Sequence, residues 1–238
     1  MIITAHQPNY LPWLGLFHKT SLADTICILD SVQFSKGDFI NRNKIKVAHG
    51  DAWLTIPIKS KGSSRKSINE IECTNDNWKK SHLALIGASY RDAQYFDTYW
   101  ESFSNMLHEI DTHLISNINI ALLQFLLSIL GIEIELVRSS KLEINKKKSD
   151  FLVEMCQKLN SNIYISGYYG RNYLEKEKFS EAGIEVRIQK YKHPIYNQQF
   201  GDFKADLSIV DLIFNHGPRS LDILLKDNAR NWKELEEL

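Results

Sequence analysis

Two continuous apolar runs near the start of the chain constrain its fold most strongly. Residues 2–6 (IITAH) and 25–30 (TICILD) each predict a buried strand, and residues 13–23 between them carry a helical pattern. Strands of this kind, joined through a helix, form a βαβ unit in which both strands run parallel in one sheet. The opening segment therefore predicts a parallel α/β sheet.

The same alternation returns in the second half of the chain. Strands are predicted at 133–140, 162–167 and 184–191, and helices at 149–159, 172–182, from Asp206 or Ser208 to Phe214, and over 221–238. We therefore predict an α/β protein with a mainly parallel sheet, flanking helices, βαβ units at both ends and a helical middle segment.

The middle segment and the residues before it carry two further patterns. Helical periodicity is present at 78–90, 96–109 and 111–130. We expect these helices to form an insertion or subdomain over 76–131 within a single α/β domain of residues 1–238. Residues 52–58 and 67–73 alternate in polarity around the turn-rich SKGSSRK, which predicts a hairpin.

Charge balance and hydropathy restrict the class of protein. Lysine plus arginine and aspartate plus glutamate number 29 each, so no net basic field favours nucleic acid as the main target. The apolar stretch 114–132 is interrupted by polar residues and predicts a buried helix, not a membrane span. Because the cysteines lie far apart and no signal peptide opens the chain, we expect a cytoplasmic protein with reduced thiols.

Polar residues or glycines follow each predicted core strand, where another apolar residue could have stood. They are His6 and Gln7 after the first strand, Asp30 and Gln33 after the second, Ser140 after 133–138, and Ser166 and Gly167 after 162–165. The carboxyl ends of parallel strands meet at one edge of a sheet, and ligands bind there. The sequence therefore predicts a binding rim made from these residues.

His6 and Asp30 are the predicted catalytic residues of this rim. A histidine at a strand end can act as a general base, since the ordinary pKa of its side chain lies close to neutral. Asp30 ends an apolar strand, where an unpaired carboxylate is costly. We expect it to pair with His6, Arg42, a substrate amine or a metal.

Several other polar side chains are predicted to bind substrate. Prolines stiffen the bend QPNYLP, which would present Asn9 and Tyr10. Arg42, beside Asn41, can clamp a carboxylate or phosphate. Tyr173 lies in the glycine-containing segment SGYYGRNYL, which suits phosphate or nucleotide contact.

Three predicted binding residues lie on helices. His82 shares a helix face with Trp78, Asn119 lies on the apolar side of the longest helix, and Asp211 lies on a polar stripe. No motif or ligand spacing indicates a metal site, so none is predicted.

Several segments together resemble the WbqC-like family. They are HQPNYLPWLGLFHK, ILDSVQFSKGDFINRNKI, WLTIPI, YISGYYGRNYL, AGIEV and LSIVDLIFNHG, in that order from residue 4 to about 217. Members often have a second aspartate where this chain has Ser31, which leaves Asp30 in place. The resemblance implies a bacterial cytoplasmic protein of O-antigen or other surface-polysaccharide (lipopolysaccharide) biosynthesis. For some relatives it implies transfer of glycine or another aminoacyl group to a sugar.

The leading hypothesis is an enzyme that transfers an acyl or aminoacyl group to a nucleotide-linked amino sugar. His6 would deprotonate the acceptor amine, and Asp30 would orient His6 or bind the ammonium group of an aminoacyl donor. An activated acyl or aminoacyl donor is expected as the second reactant. Two alternatives stay open: an ATP-using enzyme of nucleotidyltransferase type, and a non-catalytic protein that binds sugar nucleotides. The sequence leaves the oligomeric state open.

Overall fold

The computed structural model describes residues 1–238. The strands are β1 (Ile2–His6), β2 (Thr25–Ile28), β3 (Arg42–Val47), β4 (Gly50–Thr55), β5 (Glu135–Arg138), β6 (Ile163–Gly167), β7 (Glu185–Gln189) and β8 (Glu236–Glu237). The helices are α1 (Leu14–Thr20), α2 (Asn77–Tyr90), α3 (Phe96–Glu109), α4 (Ile115–Leu130), α5 (Lys148–Lys158), α6 (Lys176–Glu181), α7 (Ile209–His216) and α8 (Ser220–Leu225). None of the helices has both the length and the apolar character that crossing a bilayer requires.

Six strands form one sheet in the order β5-β2-β1-β6-β7-β8, and only β8 pairs antiparallel to its neighbour. The predicted fold class, an α/β protein with a mainly parallel sheet and flanking helices, is confirmed. In the centre, Ala5 of β1 lies opposite Cys27 of β2, and Thr4 lies opposite Ile165 of β6. Because these strands run parallel, their carboxyl ends open on the same edge of the sheet.

Apolar side chains cover both faces of the sheet, which explains the continuous apolar runs of its strands. Ile26 and Ile28 of β2 belong to a large core shared with α1, α2, α3, α4 and α7. Cys27 between them belongs to a second core with Ile3 and Ala5, under α5 and α6. The strand ends are therefore held from both sides.

The predicted hairpin of residues 52–58 and 67–73 is wrong. The hairpin pairs β3 with β4, and residues 68–70 form a short 3-10 turn instead of a strand. An isolated bridge between Ile58 and Cys73 is what joins the two predicted segments. The sequence pattern conceals β3 because one of its inward-facing side chains is Asn43, whose amide donates to the carbonyl oxygens of Tyr10 (3.3 Å) and Leu11 (2.6 Å).

The predicted helix over 221–238 is also wrong beyond its first turns. Helix α8 ends at Leu225, and Asp227 then has a positive φ of 57°, which breaks the helical path. The last residues extend the sheet instead, with Leu238 N donating to the carbonyl oxygen of Val186 at 3.0 Å. The charge pattern of residues 221–238 favours a helix, but residues 236–237 instead pair as strand β8 with the edge of β7.

Candidate functional site

A cleft of about 1010 Å³ opens at the carboxyl ends of β1, β6 and β7. Of the sequence-predicted residues, the structure brings His6, Gln7, Ser166, Gly167 and Tyr173 together along this cleft. The cleft is also lined by residues that the sequence analysis did not select, among them Trp13, Lys19, Tyr168, Tyr169, Gln189, Tyr191 and His193.

His6 lies at the end of β1 with one ring nitrogen already engaged. Its Nδ1 lies 2.9 Å from the carbonyl oxygen of Gln7. A carbonyl oxygen only accepts hydrogen bonds, so Nδ1 carries the proton and Nε2 is left as an acceptor. Burial, followed by the nearby charge of Lys19, lowers the pKa of His6 to about 3. The imidazole is therefore neutral at physiological pH.

Lys19 of α1 places an ammonium group on the cleft floor. The residue is only 4% exposed, and its Nζ donates to the carbonyl oxygen of Ala5 at 2.8 Å. Burial lowers the pKa of Lys19 to about 8, and no acidic neighbour counteracts this effect. A buried cation without an acidic partner is costly for a fold, and this one lies at a cleft, where its charge is available to an anion.

The residues around Lys19 are held by a connected set of hydrogen bonds. Gln189 at the end of β7 donates through Nε2 to the carbonyl oxygen of Gly15 (2.9 Å) and to His18 Nδ1 (2.7 Å). His18 Nε2 donates to the carbonyl oxygen of Ala229 at 2.9 Å, which fixes the tautomer. These bonds attach α1, and with it Lys19, to the sheet.

Aromatic side chains line the cleft next to the end of β6. Tyr169 is 76% exposed and Tyr173 is 59% exposed, although both are large. Between them Gly170 is required, since a Cβ there would lie 2.0 Å from Ser166 Oγ. The guanidinium of Arg171 lies 5.1 Å from the ring centroid of Tyr168. The segment thus keeps several tyrosines at the surface, where flat ligands can stack on them.

Asp211 does not line the cleft but anchors the segment 190–206 that does. Its carboxylate accepts hydrogen bonds from Tyr90 (2.8 Å), Tyr196 (2.9 Å) and Gln198 (2.8 Å). Burial raises its pKa, and the three donors oppose that rise. Because Tyr196 and Gln198 lie in this segment, Asp211 positions Tyr191 and the residues beside it at the cleft.

The proline bend is a fixed part of the core from Pro8 to Pro12, and only its first residue, Gln7, lines the cleft. Tyr10 is fully buried, and its Oη lies 2.8 Å from His82 Nδ1. Asn119 donates from Nδ2 to the carbonyl oxygens of Pro8 and Ile40, both at 2.7 Å. Asn9 is half-buried and does not line the cleft. Tyr10, His82 and Asn119 therefore hold the bend that carries His6 and Gln7.

Asp30 has other partners than the expected His6 or Arg42. The fully buried carboxylate accepts hydrogen bonds from Arg138 Nε (2.7 Å) and from Ser140 Oγ (2.8 Å), and a third from Ser139 Oγ (3.1 Å). Polar residues at and just beyond the ends of β2 and β5 therefore satisfy one another, because the two strands are neighbours in the sheet. Asp30 and Ser140 do not line the cleft.

Gln33, Asn41 and Arg42 form a separate group near the hairpin. Gln33 donates to the carbonyl oxygen of Ser64 at 2.6 Å, and Asn41 to that of Ile56 at 2.8 Å. Arg42 donates to the carbonyl oxygen of Gly37 and lies 4.3 Å from the ring centroid of Trp53. The structure does not bring this group to the cleft.

The sequence analysis missed Lys19, Gln189, Tyr191 and His193. Tyr191 could have been found, because it ends the predicted strand 184–191, whereas Gln189 ends the observed strand β7 two residues earlier. Lys19 gives no such signal, since a lysine on a short amphipathic helix ordinarily faces solvent.

Comparison with known proteins now decides the family. The profile of the WbqC-like protein family matches residues 7–223. The chain belongs to the WbqC-like protein family. It is also 32% identical over 219 residues to the uncharacterized protein Rv1507c of Mycobacterium tuberculosis, covering 92% of this chain and 95% of that protein. No solved structure gives a significant match. The family profile includes the proline bend, α1 and the residues from Ser166 to Tyr173 that line the cleft.

Proposed function

We propose that this WbqC-like protein is a transferase that passes an acyl or aminoacyl group to a nucleotide-linked amino sugar bound in the cleft. Transfer of this kind belongs to O-antigen or other surface-polysaccharide biosynthesis in the cytoplasm. The observation that carries the proposal is the buried ammonium of Lys19, which has no acidic partner and lies beside the neutral His6.

Lys19 would bind a phosphate oxygen of the nucleotide. One of its three N–H bonds is used by Ala5, which leaves two for a ligand. A phosphate in this position supplies the negative charge that the protein does not. In a site of low dielectric such a charge-assisted contact is stronger than the same contact in water.

His6 would accept a proton from the sugar amine through Nε2 as the amine attacks the activated carbonyl carbon of the donor. The new C–N bond forms while the bond from that carbon to the activating group of the donor breaks, and this group leaves with the bonding electron pair. A pKa of about 3 makes the free imidazole a weak base. The negative charge of a bound phosphate raises that pKa towards the range in which general bases work best. Substrate binding would thus activate the base.

The remaining cleft residues would select the ligand. Exposed tyrosines such as Tyr169 and Tyr173 offer stacking faces for a base or a sugar ring. Gln7 and Ser166 offer hydrogen bonds to hydroxyl groups. The volume of about 1010 Å³ is at the upper end of that of small-molecule sites, which suits a ligand as large as a sugar nucleotide.

The test is a binding panel followed by a turnover assay. UDP-sugars, UDP, ATP and acyl-CoA thioesters are titrated calorimetrically into wild type, Lys19→Met and Lys79→Met. Lys79 is a matched control, since it is a buried lysine that donates to a backbone carbonyl oxygen, that of Ile110, outside the cleft. The proposal expects sugar-nucleotide binding that Lys19→Met weakens and Lys79→Met leaves unchanged. Equal affinities in all three proteins would contradict it.

One observation favours a second candidate, a protein that binds sugar nucleotides without catalysis. The low pKa of His6 suits hydrogen bonding better than proton transfer in the free protein. Binding without turnover of any acyl or aminoacyl donor would support this candidate. Release of pyrophosphate from ATP would instead indicate an ATP-using enzyme.

A further inference from the structure

Three side chains that the sequence does not group meet outside the cleft, at the start of α2. Cys73 lies before this helix, Asp76 is its N-cap residue, and His113 lies just before α4. The Cys73 N–H donates to the carbonyl oxygen of His113 at 2.8 Å, so the two backbones are joined directly. The Cys73 sulfur, a carboxylate oxygen of Asp76 and a ring nitrogen of His113 all lie within 4.8 Å of one another.

We propose that Cys73, Asp76 and His113 bind a zinc ion, with water in the fourth position. Donor atoms around a tetrahedral zinc lie roughly 3.3–3.8 Å apart, given bond lengths of about 2.0–2.3 Å. His113 Nε2 and Asp76 Oδ2 are already 3.4 Å apart. Both side chains are about half exposed and free to adjust, while Cys73 is buried and fixed. Mixed sulfur, nitrogen and oxygen ligands are the set that zinc accepts.

Trp78 supplies an independent observation at the same place. Its side chain is 3% exposed, and the buried indole N–H has no hydrogen-bond partner. This N–H lies close to the Cys73 thiol. A buried N–H directed to a sulfur stabilises a thiolate, and metal-bound thiolates receive such support from neighbouring donors.

Binding would convert the Cys73 thiol to a thiolate. The sulfur lone pair forms the Zn–S bond, the S–H bond breaks, and the proton leaves to solvent with no change in oxidation state. Lys79 opposes this reaction, because its Nζ lies 3.8 Å from Asp76 Oδ1 and repels a cation. The bound ion would connect the start of α2 to the start of α4.

Cobalt(II) tests the site directly, because a cobalt–thiolate bond gives a charge-transfer absorption band that other ligands do not. Reduced, chelator-treated full-length protein is titrated with Co²⁺, and Zn²⁺ is then added. We expect one equivalent of Co²⁺ to produce the thiolate band and tetrahedral d–d bands, and Zn²⁺ to remove them. Absence of a thiolate band in wild type would overturn the proposal.

Variants assign the ligands. Cys73→Ser should abolish the band, whereas Cys27→Ser, which changes another buried cysteine, should retain it. His113→Gln, at a half-exposed position that tolerates change, should weaken Co²⁺ binding more than about tenfold, since groups that merely support ligands are worth roughly 10–100-fold. Lys79→Met should strengthen binding. Two results would contradict the assignment: a thiolate band that survives Cys73→Ser, or an unchanged Co²⁺ affinity in His113→Gln. If Cys73→Ser fails to fold, the Co²⁺ affinity of His113→Gln still decides the question.

Discussion

Lys19 Nζ lies 2.8 Å from the carbonyl oxygen of Ala5, the residue that precedes His6 in β1. This contact fixes the ammonium at the carboxyl end of the central strand, where parallel sheets bind their ligands. It also brings the charge close enough to His6 to lower the pKa of the imidazole. The cleft of this WbqC-like protein therefore combines a fixed cation with a neutral hydrogen-bond acceptor.

Replacing Lys19 should abolish most of the affinity for an anionic ligand. We expect Lys19→Met to weaken sugar-nucleotide binding at least about tenfold, because a buried charge-assisted hydrogen bond contributes roughly 1.5–3 kcal/mol. The free energy of unfolding should not fall, since an uncompensated buried cation is removed. Calorimetry and chemical denaturation measure the two quantities. Lower stability with unchanged affinity would show that Lys19 serves the fold alone.

The pH dependence of binding should follow the ionisation of Lys19. The ammonium form binds phosphate, and its pKa in the free protein is lowered to about 8. Affinity should therefore be constant below that pH and fall as the pH rises through it. Calorimetry between pH 6.5 and about 9.5 tests this, with Lys19→Met as the control that should show no such fall.

His6 should remain neutral far into the acidic range. Its pKa is lowered to about 3 in the folded protein from an ordinary 6.5. Because the unfolded chain takes up the proton first, the contribution of His6 to stability is complete above pH 6.5 and declines as the pH falls towards 3. NMR titration of the His6 ring should show no protonation between pH 7 and about 4.5. A midpoint near 6.5 would contradict the buried environment described for this ring.

Asp30→Asn should destabilise the protein without affecting the cleft. The change leaves Arg138 without its buried anion, and breaking such a pair costs about 3–5 kcal/mol when fully buried. Arg138 keeps some exposure, so we expect a loss near the lower figure. Asp227→Asn, which disrupts an exposed pair with Lys192, is the control and should cost about 1 kcal/mol or less. Loss of turnover in Asp30→Asn at full stability and affinity would support the catalytic role predicted from the sequence.

Tyr10→Phe should reveal the structural role of the proline bend. The substitution leaves the buried Nδ1 of His82 without its partner, which costs about 1–3 kcal/mol of unfolding free energy. Tyr173→Phe removes a hydroxyl group from an exposed residue and should change stability by no more than about 0.5 kcal/mol. Denaturant unfolding of both variants checks the difference, and equal stabilities would contradict it.

The sequence predicts the sheet well because its strands are buried on both faces. Runs such as IITA and TICI contain no charged or amide residue, and the polar residues at the ends of β1 and β6 do meet at one cleft. The β3 strand escapes prediction because Asn43 faces inward, with its amide satisfied by carbonyl groups of the proline bend.

The remaining site residues depend on contacts between distant parts of the chain. The partner of Asp30 is Arg138, on a strand 108 residues away, and no local pattern connects them. The burial of Lys19 likewise depends on how α1 packs against β1, which the sequence of the helix does not show. Strand ends indicate where polar residues collect, but neighbouring strands decide which of them remain available for a ligand.

A crystal structure with a bound sugar nucleotide tests the central claim most directly. Wild-type crystals soaked with a UDP-sugar should show a phosphate within hydrogen-bond distance of Lys19 Nζ. The sugar should lie between His6 and Ser166, and a ring of the ligand should stack on a tyrosine of the segment from Tyr168 to Tyr173. A ligand bound elsewhere on the protein, with the cleft holding only solvent, would contradict the account.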